Sequence, residues 1–473
     1  MICDLSEFPD TSSLSSDFCV IGAGPAGITV ALTLAKAGKS VILCEGGGDS
    51  YSQESQDLYT GSVIGNPYHD LKVTRLRFLG GSSNHWTGWC RPLDAIDFEK
   101  KSNFPKAYWP IQKKDLDGYT MKACEILEIA VPKPNKSFEQ STVLQEIDFS
   151  FSRPPVRFKT KFQNELATSK KIQVILNANL FDLDSNDGKV VKAIMKSANN
   201  RKLEVNARSF IFAMGGIENS RMLSWIQFNA KRGLADRRIP IGAYWMEHPH
   251  FTLGEMLLKS SARATRYVGL RHEQQKKLAI LNCGMRLQAM ELGETKRLIK
   301  DLLCVSPSAG QWAANLFGKK LICGSTIRAA WEQEPLETNR IQLSKSSKDM
   351  FGIPLTELHW KKSENDFRTV RENVLSLNDF LIATNRGRLR LDSWLYGEGE
   401  PPEDDEKGGH HHMGGTRMAD SPINGVVDRN CRVFGTKNLY VAGSSVFPTG
   451  GHANPTFTIV QLSLRLADHL NNA

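Results

Sequence analysis

At 473 residues the chain is longer than one small hydrophobic core requires, which predicts two or three domains. It is 40% hydrophobic and 23% charged and has no apolar run of the roughly 18 residues that spans a bilayer, so no transmembrane anchor is visible. The net charge of +9 comes from scattered basic residues. No arginine-rich tract interleaved with aromatics is present, which argues against nucleic acid and for a solvated basic surface able to steer anionic substrates or acidic partners.

The opening residues, MICDLSEFPDTSSLSSDF, lack the basic start and apolar stretch of a secretory signal, and a cytoplasmic protein is expected. Nine cysteines occur without a CxxC pair, and Cys19 and Cys44 fall inside apolar runs. They are expected to be reduced and mainly structural. No internal repeat is visible.

Residues 17–22, DFCVIG, form the short apolar run of a buried parallel strand, and the turn GAGPAG (Gly22, Ala23, Gly24, Pro25, Ala26, Gly27) follows at once. The apolar residues Ile28, Val30, Ala31, Leu32 and Leu34 mark the next segment as a helix that stops at Gly38. A second strand, Ser40 to Cys44, ends at Glu45. This strand–turn–helix–strand–acid unit predicts dinucleotide binding. Gly22 permits the tight turn, Gly24 lets backbone amides approach a pyrophosphate, and Gly27 allows close helix–strand packing. The phosphates would meet the positive end of the helix, and Glu45 would take a ribose hydroxyl.

A second glycine-rich loop, RLRFLGGSSNHWTGWCRPL at 75–93, contains Gly80, Gly81, Ser82, Ser83, Asn84, His85 and Trp86. Such a loop can lay backbone and short polar groups against a planar ring; alone, it also reads as a turn with one core histidine. Residues 174–184, 189–195 and 209–214 read as strands, with Asn-Asp-Gly turning between the first two. From about Pro240 to Tyr396 strands mix with a helix over 364–384 and no nucleotide motif appears, which predicts a substrate domain. GEGEPPEDDEKGG, 397–409, is a surface connection by composition.

HHHMGGTRM follows at 410–418. Three consecutive histidines point in different directions on any regular backbone, and no carboxylate or cysteine adjoins them at metal spacing, so no metal site is expected. Asn454 and Pro455 read as the N-cap and first position of a buried helix carrying Phe457, Val460, Leu462, Leu464 and Leu466. An N-cap alone would account for Asn454.

Taken together, residues 22–45, 75–92, 212–223 (FAMGGIENSRML) and 410–470 resemble, in order and spacing, the glucose-methanol-choline (GMC) oxidoreductase family. The resemblance implies a mixed α/β fold, with a Rossmann-like FAD-binding domain (1–100, 160–235 and 405–473) and a substrate domain built on a largely antiparallel sheet (101–159 and 236–404). FAD is the implied cofactor. Within the family the chain is similar to the branch of pyranose oxidases and sugar, gluconate and fructose dehydrogenases; GGSSNHW departs from the GGSSxxN of the glucose oxidase and choline oxidase branch.

What the resemblance implies for individual residues is as follows. His412, four residues before Thr416, takes the place of the active-site histidine and is the expected general base. Asn454 faces it across the substrate. His85 occupies the position that carries a covalent flavin bond in pyranose oxidases and none in some dehydrogenases, and attachment is left open. Gly22, Gly24, Pro25, Ala26, Gly27, Glu45, Gly80, Gly81, Ser82, Asn84, His85, Leu180, Ala213, Gly443, Ser444 and Pro455 are the expected cofactor contacts, although many relatives have an Asp where Ala442-Gly443 runs. Leu180 would touch the adenine, and His452 is a further pocket candidate. The implied reaction is oxidation of a CH–OH group of a sugar, glycoside or polyol, with hydride passing to flavin N5 and reoxidation by oxygen, a quinone or another acceptor. A tailoring alcohol oxidase of natural products and a non-redox lyase resembling hydroxynitrile lyases are the alternatives.

Overall fold

The computed structural model describes residues 1–229, 234–258, 265–288, 294–318, 325–399 and 408–472. The central part of the acidic connection, 400–407, lies outside them. Phe18, Cys19, Val20 and Ile21 and the neighbouring Val41, Ile42, Leu43 and Cys44 are all buried, because a parallel strand covered on both faces has no solvent side to leave polar. They sit in an eight-stranded sheet whose order is Ile2–Asp4, Ile172–Leu176, Val41–Cys44, Thr11–Ile21, Lys202–Phe212, Lys189–Lys196 and Asn179–Asn186, with Leu439–Val441 added beside Lys202–Phe212. The first five strands and Leu439–Val441 run parallel; Lys189–Lys196 and Asn179–Asn186 form the antiparallel extension.

The helix Pro25–Lys36 starts on proline, whose fixed φ suits the first turn, and buries Ile28, Val30, Ala31, Leu32 and Leu34 against this sheet and the helix Thr456–Asn472. A seven-stranded sheet stands apart, in the order Gly387–Leu391, His250–Leu258, Ser325–Trp331, Cys283–Leu287, Arg266–Leu270, Leu144–Glu146 and Lys136–Ser137. All its pairings are antiparallel, and the helix Glu364–Ala383 packs on one face with Val370, Val374, Leu377 and Leu381. The α/β organisation with a second, sheet-rich part is therefore as expected.

Two readings need correction. Among the described residues seven cysteines are free thiols, but Cys304 is disulfide-bonded, a pairing that spacing alone does not reveal. The last helix begins at Thr456, with Ile459 N–H bonded to Pro455 O, so Asn454 lies one residue outside the expected cap. Its side chain is directed elsewhere, as described below. Among the described residues no helix is long and apolar enough to cross a membrane.

Candidate active site

The first glycine turn is shaped by contacts that exclude a side chain. Gly22 has φ +105° and donates to Cys44 O at 2.7 Å, and a Cβ there would lie 2.4 Å from Ala213 O. A Cβ on Gly27 would meet Gly22 O at 1.8 Å, which explains the close approach of helix and strand. Gly24 differs: nothing lies within 4 Å of its Cβ position, and it opens on a cavity of about 470 Å³. Glu45, 6% exposed, holds the turn by accepting Ala23 N–H on Oε2 (2.8 Å) and Gly47 N–H on Oε1 (2.9 Å), and also lines the cavity.

The second glycine loop packs on the first. Gly80 N–H donates to Ala23 O at 2.8 Å, and Gly81 lies against Gly24. Ser83 Oγ bonds Gly80 O, Asn84 Nδ2 bonds Leu79 O and Gly81 O, and Trp86 Nε1 bonds Val156 O. Of the expected cofactor contacts, Gly22, Gly24, Pro25, Ala26, Glu45, Gly81, Ser82, His85, Leu180, Ala213, Gly443, Ser444 and Pro455 line this one cavity. Gly27, Gly80 and Asn84 do not; they brace the loops that do.

His410, His411, His412 and Asn454 line the same cavity. Their side chains, however, are not arranged as the sequence suggests. Asn454 Nδ2 is 3.1 Å from Nε2 of His411, and His411 Nδ1 is 2.9 Å from Nδ1 of His248. His412 turns away from Asn454: its Nε2 is 3.2 Å from the Tyr68 hydroxyl, and its ring lies 5.9 Å from that of Trp245. Tyr68 in turn donates to Glu247 Oε2. Asn454 thus contacts His411, while His412 contacts Tyr68.

Glu247 organises the segment. Its Oε1 accepts the backbone N–H groups of His248 at 2.8 Å and His411 at 2.7 Å, which brings the two imidazoles together. Burial pushes the Glu247 carboxyl up to about 7. Burial also lowers His411 and His412 well below the ordinary histidine range and His248 to about 3, with His250 and His452 adding repulsion at His248. These rings are neutral at pH 7. Neutral rings share one proton between the two Nδ1 atoms, and a bond donated by Asn454 requires a lone pair on His411 Nε2. The consistent assignment is Asn454 Nδ2–H to His411 Nε2 and His411 Nδ1–H to His248 Nδ1.

His452 is not part of the cavity lining. It is buried behind it, with Nε2 at 3.5 Å from Asp94 Oδ2, in a network where Asn282 bonds Asp94 and Asp97, and Thr449 bonds Glu332. His248, Glu247 and Tyr68 were missed by sequence reasoning, since each reaches the segment from far along the chain; the run EHPH at 247–250 was the available signal. Among the described residues no cluster of three or more His, Cys, Asp or Glu fit for a metal is found.

Residues 17–56 match an FAD-binding domain, and residues 335–463 match the model of the GMC oxidoreductases. Residues 335–463 thus carry the C-terminal part of a GMC oxidoreductase. This oxidoreductase is 22% identical to 2-methyl-1,2-propanediol dehydrogenase of Mycolicibacterium austroafricanum over 98% of its own length and 96% of the relative's. It is 25% identical to the fructose dehydrogenase large subunit of Gluconobacter japonicus, over 63% of this chain and 54% of that one. In fold it is similar to formate oxidase (TM-score 0.60, 16% identity, 98% and 99% of the two chains) and to pyridoxine 4-oxidase from Mesorbium loti (TM-score 0.59, 14% identity, 97% and 99%). FAD is the cofactor this oxidoreductase uses, and the cavity joining the glycine turns to the histidine segment fits it: Gly24 has no side chain where a Cβ would enter the cavity, and Gly81 lets the second loop close against Gly24.

Proposed function

We propose that this oxidoreductase oxidises a CH–OH group of a sugar, glycoside or polyol to a carbonyl, with His411 as the base. The observation that carries the assignment is the 3.1 Å contact between His411 Nε2 and Asn454 Nδ2 on the cavity that also holds the glycine turns. Bound FAD supplies the two-electron acceptor for the carbon-bound hydrogen. The chain's own groups handle the rest. A substrate hydroxyl placed between the two side chains donates its proton to His411 Nε2, while Asn454 Nδ2–H holds the oxygen. His248 is a positioning residue: its Nδ1 accepts the His411 Nδ1–H, keeps the Nε2 lone pair toward the substrate and stabilises the imidazolium once the proton has moved. The helix Thr456–Asn472, whose approach residues Asn454 and Pro455 and first residue Thr456 line the cavity, favours negative charge at that end.

His412 is not assigned as the base because the Tyr68 hydroxyl donates to Glu247 and so leaves His412 Nε2 as the donor, with no lone pair to take a proton. On this reading residues 1–100, 160–235 and 405–473 hold FAD, and 101–159 and 236–404 bring the substrate to it. Support for the substrate class comes from relatives named for a propanediol, fructose and a C-glycoside. Those relatives are dehydrogenases and oxidases, which disfavours the lyase alternative. The test is anaerobic mixing of the flavoprotein with polyols, sugars and glycosides while flavin absorbance is followed. Bleaching by one class, lost in His411→Ala and largely kept in His412→Ala, supports the proposal; no bleaching by any alcohol, or equal loss in both variants, overturns it.

A further inference from the structure

The antiparallel sheet presents one face to the histidine segment, and its ladder fixes which side chains share that face. Directly paired residues of neighbouring antiparallel strands project to the same side. One row consists of His250, Ala330 and Gly284, paired in succession. The His250 ring lies 6.0 Å from that of His411, and a Cβ on Gly284 would come within 2.7 Å of His452 Nδ1, so this row abuts the proposed catalytic pair. Two residues further along each strand, on the order of 7 Å, the next row on the same face is Thr252, Arg328, Arg286 and Tyr267.

Arg286 stands out in that row. It is half-buried, its Nε is enclosed without a hydrogen-bond partner, and among the described residues it meets no carboxylate. Its ladder neighbour is another arginine, Arg328, and like charges directly opposite each other destabilise a sheet. The nearby acids are already engaged: Glu146 and Glu139 with Arg266, Asp94 with Arg91, and Glu332 with Thr449. The guanidinium lies 5.8 Å from the ring of Trp89, which lines the cavity shared by His411 and Asn454, and Trp89 packs edge-on against Tyr267 and Phe149. A half-buried cation without a carboxylate partner, set beside a residue that lines the reaction cavity, is open to a ligand that supplies the charge.

We propose that Arg286 is an anion subsite: the substrate carries an oxyanion group, carboxylate or phosphate, which Arg286 holds beside Trp89 and Tyr267 while the hydroxyl to be oxidised meets His411 and Asn454. The guanidinium offers a planar fork of donors suited to either oxyanion. The proposal rests on the oxidase or dehydrogenase reading given above and narrows its substrate class to sugar acids or sugar phosphates.

The test uses the full-length holoenzyme and anaerobic flavin reduction by three matched probes, glucose, glucuronate and glucose 6-phosphate, extended to the galactose series. The quantity read is the ratio of kcat/KM for a charged probe to that for its neutral parent. The expected ratio is tenfold or more in the wild type, falls to near one in Arg286→Ala, is partly restored in Arg286→Lys, and shrinks with added salt. The carboxylate and phosphate arms tell the two oxyanions apart. Reduction by neutral sugars with a ratio near one, or a ratio that survives Arg286→Ala, overturns the subsite while leaving the alcohol-oxidising function intact. Failure of every probe, charged and neutral alike, counts against both.

Discussion

The glycine turn at 22–27 and the histidine segment at 410–412 face the same cavity and are built in opposite ways. In the turn, backbone does the work: Gly22, Gly24 and Gly27 matter for the atoms they lack, and Glu45 bonds main-chain amides no more than 22 residues away. In the histidine segment the side chains carry the chemistry, and each is oriented by a partner more than 40 residues distant: Asn454 and His248 for His411, Tyr68 for His412. A motif of the first kind draws most of its hydrogen bonds from its own unit. One of the second kind acquires meaning only when the rest of the chain has folded around it.

The largest effect expected is at the turn. Gly27→Ala places a Cβ 1.8 Å from Gly22 O, and the purified protein should carry almost no flavin; Gly24→Ala, whose side chain would enter open cavity, should keep the fold and weaken retention only in part. The flavin-to-protein absorbance ratio measures both, and equal retention in the two variants would erase the distinction. Next comes the histidine segment. His411→Ala should slow flavin reduction by about 10²- to 10⁴-fold, the usual range for a general base, and His412→Ala by at least tenfold less. Rapid-mixing kinetics with the best substrate decides it.

Removing the donor in Asn454→Ala should cost about 10- to 100-fold in the same rate constant, corresponding to one or two hydrogen bonds to a charged centre. The pH profile is a subtler probe. A base acts unprotonated, and burial holds His411 well below the ordinary 6.5, so the flavin-reduction rate should not fall as the pH drops through 6.5. In His248→Asn the acid limb should move, whereas a His248 that only packs would leave its position fixed. The smallest effect belongs to Glu45→Gln, which keeps one carbonyl acceptor for two amides and should lower stability by about 1–3 kcal/mol, read from the thermal midpoint.

The contrast also explains what could be read from the sequence. The parallel core was legible because FCVI and VILC are uninterrupted apolar runs, and the glycine turn because its bonds to Cys44 and Glu45 lie inside one strand–helix–strand unit. The cavity-lining set followed from motif order. The choice between His411 and His412 was not legible, since spacing to Thr416 cannot tell which face of an extended segment meets Asn454. Asn454 itself read as a helix cap, yet the helix starts later and leaves its amide free for His411. The Arg286 row depends on strand register across four strands, which no local pattern encodes.

The parallel sheet joins strands from Ile2 to Val441, and the helix Thr456–Asn472 packs against the helix that begins the glycine turn. During synthesis, therefore, the nucleotide cradle emerges first but stays uncovered until residues beyond 456 have left the ribosome. For most of translation the side of Pro25–Lys36 that packs on Thr456–Asn472 lacks that partner. Capture of the cofactor in its finished cradle is thereby a late event in the making of the chain.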